Sequence, residues 1–295
     1  MTKVSLGYKM IDYQYQHDIE QVRHLRNLSV ADIARGCQLS EKTIWRWLNG
    51  ESVPDRASLE TFYDYAYEQR VRLNKIKAQF HQETYGKASR LVLFHGSRSL
   101  IDGDLSLDKC KPNSDFGRGF YCGESLEQSA MFVSGIADSS LYIAGFDPRG
   151  LKCATYEVDQ DWMLTIAAFR GRLGQYADHP RIVALRNRLR NVDYVVAPIA
   201  DNRMYEQITE FLDGLITDVV CEHCLSATQL GKQYVMISQR ALDRVELLER
   251  CFLSSGEKRF YSQSRADEVR EAEDKVKAAK RQFRGQGSYI DELIS

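Results

Sequence analysis

Apolar positions in the first eighty residues recur at helical spacing. Between His17 and Leu28, Ile19, Val22 and Leu25 fall on one face, which predicts a helix. Ser29 precedes Val30 and Asp32 as an N-cap, and Ser40 stands in the same way before Glu41 and Lys42. Asn49-Gly50 ends that helix, because both residues tolerate the left-handed conformation. Pro54 opens a further helix carrying Phe62, Tyr63, Tyr65 and Tyr67. A charged stretch from Glu68 to Glu83 then leads out of the helical segment.

The pattern changes near Leu91. Leu91-Val92-Leu93-Phe94 is an apolar run of strand length, and Ala154 to Val158, Tyr194 to Val196 and Tyr234 to Ile237 read the same way. Helical patterns at 124–136 and 204–213 sit between them. Strands and helices mix without strict βαβ alternation, which predicts an α+β fold. From Glu257 to Arg284 the chain is charged and has few helix breakers, as an exposed helix would be. A short amphipathic piece, Tyr289 to Ile294, follows it. Three segments result: an all-α domain at 1–85, an α+β domain at 86–255 and a helical tail at 256–295.

A chain of 295 residues with 43% hydrophobic content has room for two cores. A formal net charge of −1 excludes a protein that coats nucleic acid by charge alone, so any DNA contact must be local. No apolar run reaches the roughly eighteen residues that a membrane helix needs. The opening MTKVSLGYKMIDYQYQHD has no apolar h-region, which argues against a secretory signal. Seven cysteines at irregular spacing fit a reducing cytoplasm. Cys221-Glu222-His223-Cys224 is half a zinc site with no second pair at ligand spacing, and His17, His24, His81 and His179 form no cluster, so no metal is expected.

The stretch SVADIARGCQLSEKTIWRWLNG (29–50) resembles the helix-turn-helix of phage-repressor-like regulators. In such a pair Ala34 permits close helix approach, Leu39 and Ile44 fill the wedge, and Trp47 plugs the core. The resemblance puts Ser40, Glu41, Thr43, Trp45, Arg46 and Asn49 on the face that enters the major groove. Arg46 would read guanine, while Thr43 or Asn49 would hold phosphates. The turn carries Gln38 where the family usually has Gly, with Gly36 two residues away.

Three later pieces occur in order: Leu93-Phe94-His95-Gly96-Ser97-Arg98, then Asp115-Phe116-Gly117-Arg118-Gly119-Phe120-Tyr121, then Gly231-Lys232-Gln233-Tyr234-Val235. Together they resemble the His-Tyr-Glu class of ADP-ribosyltransferases, which includes diphtheria toxin and the poly(ADP-ribose) polymerases. They resemble more closely the DUF3990 family of transferase-like proteins, from about Leu91 to Leu248, including Pro198 to Arg203 and Leu230 to Val235. The resemblance implies a split β-sheet domain that takes NAD as substrate. It gives His95 the adenosine-side ribose and the Gly96 backbone the carboxamide. Tyr121 would stack on nicotinamide, Phe132 would cover the other ring face, and Ser129 would bond the carboxamide. Ser97, Asp115 and Gly119 would complete the cofactor site, with Gly117 and Gly119 letting backbone approach the ligand.

Gln233 stands where that class has its catalytic Glu. Its carbonyl can accept the ribose hydroxyl, but it brings no charge to a transition state resembling an oxocarbenium ion. Asp201 and Glu206 are the carboxylates expected to compensate, and Gln233→Glu is expected to speed nicotinamide release. The resemblances imply a mono-ADP-ribosyltransferase with His95, Tyr121 and Gln233 as its catalytic set. It would modify a protein or nucleic-acid acceptor, in a toxin-like or phage-defence setting. DNA, an antitoxin and a second copy of the chain are the partners implied, with no membrane. A transcriptional regulator whose degenerate transferase-like half senses NAD is the alternative.

Overall fold

Serine caps start the second and third helices, as the sequence predicts. Helix α1 spans Tyr15–Arg26, α2 Val30–Gly36, α3 Glu41–Leu48, α4 Arg56–Glu68 and α5 Leu73–Thr84. Ser29 and Asp32 form a reciprocal capping box, and Ser40 accepts from the Thr43 amide. Helix α4 is capped by Asp55 and so begins just after Pro54. Strand β1 is Leu91–Ser97, β2 Phe120–Gly123, helix α6 Leu126–Val133, strand β3 Ser140–Phe146 and β4 Cys153–Thr155. Helices α7 (Gln160–Phe169) and α8 (Pro180–Arg188) precede strand β5 (Tyr194–Pro198), α9 (Asn202–Leu212) and α10 (Asp218–Ser226). Strand β6 (Lys232–Met236), α11 (Gln239–Leu242), β7 (Val245–Cys251), α12 (Ser255–Gln282) and α13 (Ile290–Leu293) complete the order. The fold is therefore α+β. This computed structural model describes residues 12–87, 89–228 and 231–294. Residues 1–11, which carry most of the signal-peptide reading, and Leu230 of the quoted strand lie outside the described residues.

The chain divides into two compact units that interleave in sequence, a partition different from cuts at 85 and 255. The first holds Met1–Asp104, Leu126–Phe146 and Glu246–Ser264. Its helical core is built from Ile19, Val22, Ile33, Ala34, Ile44, Trp47, Phe62 and Tyr63. Leu25, expected on the apolar face of α1, is instead 54% exposed. The charged stretch 68–83 does not lead out of this packing: it forms α5, whose Lys77 is 4% exposed. The Lys77 ammonium lies 2.7 Å from Asp18 and 2.9 Å from Glu249, and the Tyr63 hydroxyl donates to Asp18. Burial alone would lower the Lys77 pKa, but the surrounding anions, Asp18 first, carry it above its ordinary value. In the same unit β3 lies between β1 and β7, antiparallel to β1. Every residue of β3 is buried, so it shows none of the alternation by which strands are read.

The second unit holds Leu105–Ser125, Asp147–Val245 and Arg265–Ser295. Its strands run in the order β4, β5, β6, β2, with β4 parallel to β5 and the other pairs antiparallel. Trp162, Met163, Ile166, Val195, Val235, Ile208 and Phe211 form its core. Cys221 and Cys224 are buried on α10, and the His223 ring stacks on Phe283. Among the described residues no helix is long and apolar enough to cross a membrane.

Candidate functional site

The helix pair α2–α3 packs as its sequence requires. Ala34, Ile44 and Trp47 are 2%, 0% and 4% exposed, and Leu39 is half-buried against the same core. Gln38 takes the left-handed conformation, φ 56°, and so supplies the turn geometry without a glycine. Ser40, Glu41, Trp45, Arg46 and Asn49 are exposed, and Thr43 is half-buried. The Ser40 and Thr43 hydroxyls lie 2.8 Å apart, so both take part in the cap.

His95, Gly96, Ser97, Ser129 and Phe132 belong to the first unit. Strand alternation puts His95 and Gly96 on opposite faces of β1. His95 pairs with Tyr142 across the β1–β3 ladder, their rings 6.5 Å apart, and the Tyr142 hydroxyl accepts from the Ile101 amide. Gly96 faces α6. A Cβ there would meet the Ser129 carbonyl oxygen and Val133 at 2.8 Å. The buried Ser129 hydroxyl donates to the Phe94 carbonyl at 3.0 Å, which commits its proton and leaves its lone pairs to accept. Phe132, on α6, is 63% exposed.

Asp115, Gly119, Tyr121 and Gln233 belong to the second unit. Tyr121 pairs with Val235, and Gly123 with Gln233, across the β2–β6 ladder. Directly paired residues share a sheet face and so do alternate ones, so Tyr121 and Gln233 project to the same side. The Tyr121 hydroxyl donates to the Gly117 carbonyl at 2.9 Å and accepts from the Phe116 amide at 3.0 Å. It thereby fastens the turn that precedes β2, in which Gly117 has φ 75°. Burial pushes the Tyr121 phenol well above its ordinary pKa, with the Asp115 charge adding to the effect. Gly119 has a packing reason of its own: a Cβ there would lie 2.7 Å from Val235 Cγ1 and 3.0 Å from the Met236 carbonyl oxygen.

Gln233 is 6% exposed, and both of its amide hydrogens are engaged. Nε2 donates to Asp115 Oδ2 at 3.0 Å and to the Pro198 carbonyl at 3.0 Å. Both partners are acceptors only, so the amide nitrogen must face them and the carbonyl oxygen must face away. Asp115, also 6% exposed, takes the Arg170 Nε on Oδ1 at 2.9 Å. Arg170 lies over the Tyr205 ring at 4.0 Å and reaches the Ala200 carbonyl at 3.4 Å.

These contacts bear on two expectations about charge. Asp201 is occupied as the N-cap of α9 and in an ion pair with Arg203, and Glu206 is exposed. The carboxylate that touches Gln233 is Asp115. Gln233→Glu would set a second carboxylate against Asp115 and a carbonyl oxygen with no donor between them, which destabilises the charged form. That substitution therefore places the new charge where its neighbours disfavour it. Arg170 was not legible in the sequence as part of the site, because it lies 55 residues from Asp115 and no motif connects them.

Neither a curated protein nor a solved structure matches the chain. A family profile matches residues 91–247, more than half of the 295 residues, under the description "protein of unknown function". The chain belongs to that family, DUF3990.

Proposed function

We propose that the chain binds NAD and transfers its ADP-ribose to one site on a nucleophilic acceptor. The supporting observation is the buried, fully oriented amide of Gln233 on the sheet face that also carries Tyr121. A buried amide is costly unless bonded, and here two acceptors fix it so that its carbonyl oxygen faces away from Asp115. That oxygen suits a ribose hydroxyl, and Tyr121 suits the flat nicotinamide ring. The family resemblance adds Ser129 for the carboxamide and His95 for the other ribose.

In the reaction the bond from the anomeric carbon to the nicotinamide nitrogen breaks, and its electron pair leaves with nicotinamide. The acceptor forms the new bond and loses a proton to solvent. A neutral amide stabilises the developing positive charge less than a carboxylate does, so the reaction is slow and stops after one transfer. Tyr121→Ala tests the assignment by removing the stacking surface. Calorimetric affinity for NAD should fall by about 2 kcal/mol or more, and unchanged affinity would refute the pocket.

The exposed face of α3 supports a DNA-reading role for the helix pair, which would bring the enzyme to nucleic acid or repress its own transcription. The neutral residue at 233 favours a second reading, a DNA-binding regulator that holds NAD without reacting. The two separate on one measurement: the enzyme releases nicotinamide over time, and the sensor binds NAD and releases none.

A further inference from the structure

We infer that Asp115 is the positioning residue of the proposed transferase, acting through Gln233 as one half of an exchangeable carboxylate–amide pair. This rests on the transferase reading and adds to it a defined source of the site's negative charge. Asp115 Oδ2 accepts from Gln233 Nε2, and Asp115 Oδ1 accepts from Arg170, so each carboxylate oxygen has a charged or polar donor. Three features make the arrangement directional. Arg170 pairs with the buried Asp115 carboxylate and fixes its Oδ1. Both Asp115 oxygens accept, so the carboxylate fixes which way the Gln233 amide turns. The hydrogen bond to an anion polarises that amide and moves electron density onto its carbonyl oxygen, which points to the other side.

The pair also explains why position 233 does not carry a carboxylate. One carboxylate and one amide satisfy the hydrogen bonds between 115 and 233, and two carboxylates do not. Exchanging the two groups, by Asp115→Asn together with Gln233→Glu, keeps the same net charge. The amide nitrogen at position 115 would then donate to the carboxylate at position 233, and the amide oxygen at 115 would still accept from Arg170, while the Pro198 carbonyl alone would lose its donor. The single changes break the match. Asp115→Asn leaves an N–H₂ group facing another donor, from either Gln233 or Arg170. Gln233→Glu leaves two acceptors face to face.

The experiment compares the full-length wild type with Asp115→Asn, Gln233→Glu and the double variant. NAD is the probe, free nicotinamide is the kinetic readout, and thermal unfolding runs in parallel. Each single variant should lose on the order of 10- to 100-fold in kcat with KM for NAD changed less than about 3-fold, since orientation is lost and stacking is kept. The double variant should recover about 10-fold in kcat over Gln233→Glu, because the 115–233 bond is restored while the bond to the Pro198 carbonyl is not. If a single variant fails to fold, the double variant is judged directly against wild type. A double variant that does not fold, or that folds with kcat still down about 100-fold or as the product of the single losses, overturns the inference. A wild type that binds no NAD or releases no nicotinamide overturns the transferase reading, and the inference with it. An active wild type without rescue overturns the inference alone.

Discussion

Gln38 is a long side chain held at φ 56°, a region where L-residues other than Asn and Gly carry a steric penalty. Gln38→Gly should therefore raise stability by about 1 kcal/mol, read as an increase in Tm, with α2 and α3 unchanged by circular dichroism. A lower Tm would mean that the Gln38 side chain makes a contact worth more than the strain. Gly96 shows the reverse case. Gly96→Ala should cost about 1–3 kcal/mol, because the new Cβ presses on the Ser129 backbone carbonyl, which cannot turn aside as a side-chain tip can. Chemical denaturation measures it, and a neutral result would remove packing as the reason for that glycine. At this scale the sequence was readable wherever the signal was local. Ser29, Ser40 and Asn49-Gly50 announced caps and stops because the groups they satisfy lie within a few residues. The Asp115–Gln233 bond joins residues 118 apart, so nothing near Gln233 could reveal that its partner was already a carboxylate.

At the scale of elements, α5 and β3 were hard to read for opposite reasons. Helix α5 is charged enough to pass for a linker, yet Lys77 is buried because Asp18 and Glu249 meet it from distant parts of the chain. Strand β3 is buried throughout and so carries no period at all. Lys77→Ala would leave the buried Asp18 carboxylate without its cation and half-buried Glu249 with His81 alone, and should cost on the order of 3–5 kcal/mol in urea denaturation. A loss below about 1 kcal/mol would show that water replaces the ammonium. Helix α3 was legible, since its buried residues Ile44 and Trp47 and its exposed residues Trp45 and Arg46 alternate at helical spacing. If its outer face reads DNA, Arg46→Ala should weaken a selected operator by about 1–3 kcal/mol and random DNA by less. Equal loss on both would make Arg46 a phosphate contact, and no DNA binding by the wild type at low salt would end the helix-turn-helix assignment.

For the whole molecule, stability should depend on a carboxyl group at the start of α12. Glu257 is 7% exposed; Ser254 donates to it through its amide, Asn74 through its side chain, and burial pushes its pKa up to about 7. Its ordinary value is 4.5, so between about 4.5 and about 7 the folded chain holds a proton that the unfolded chain has released. Stability from this group is complete below that window and is lost as pH rises through it, by about 3 kcal/mol. Glu257→Gln should flatten the dependence of the unfolding free energy on pH across that window, whereas an unchanged slope would assign it to other groups. The proposed chemistry has its own most direct test. Purified full-length chain and His95→Ala are each incubated with NAD labelled in the nicotinamide ring, with a cell lysate as the source of acceptors, and free nicotinamide is followed over time. A parallel incubation with NAD labelled in the adenosine half follows the ADP-ribose. The account predicts slow release by the wild type, with ADP-ribose recovered on a macromolecule, and release at the uncatalysed rate by His95→Ala. Equal rates for the two proteins, or a wild-type rate no faster than NAD alone in the same lysate, would contradict it.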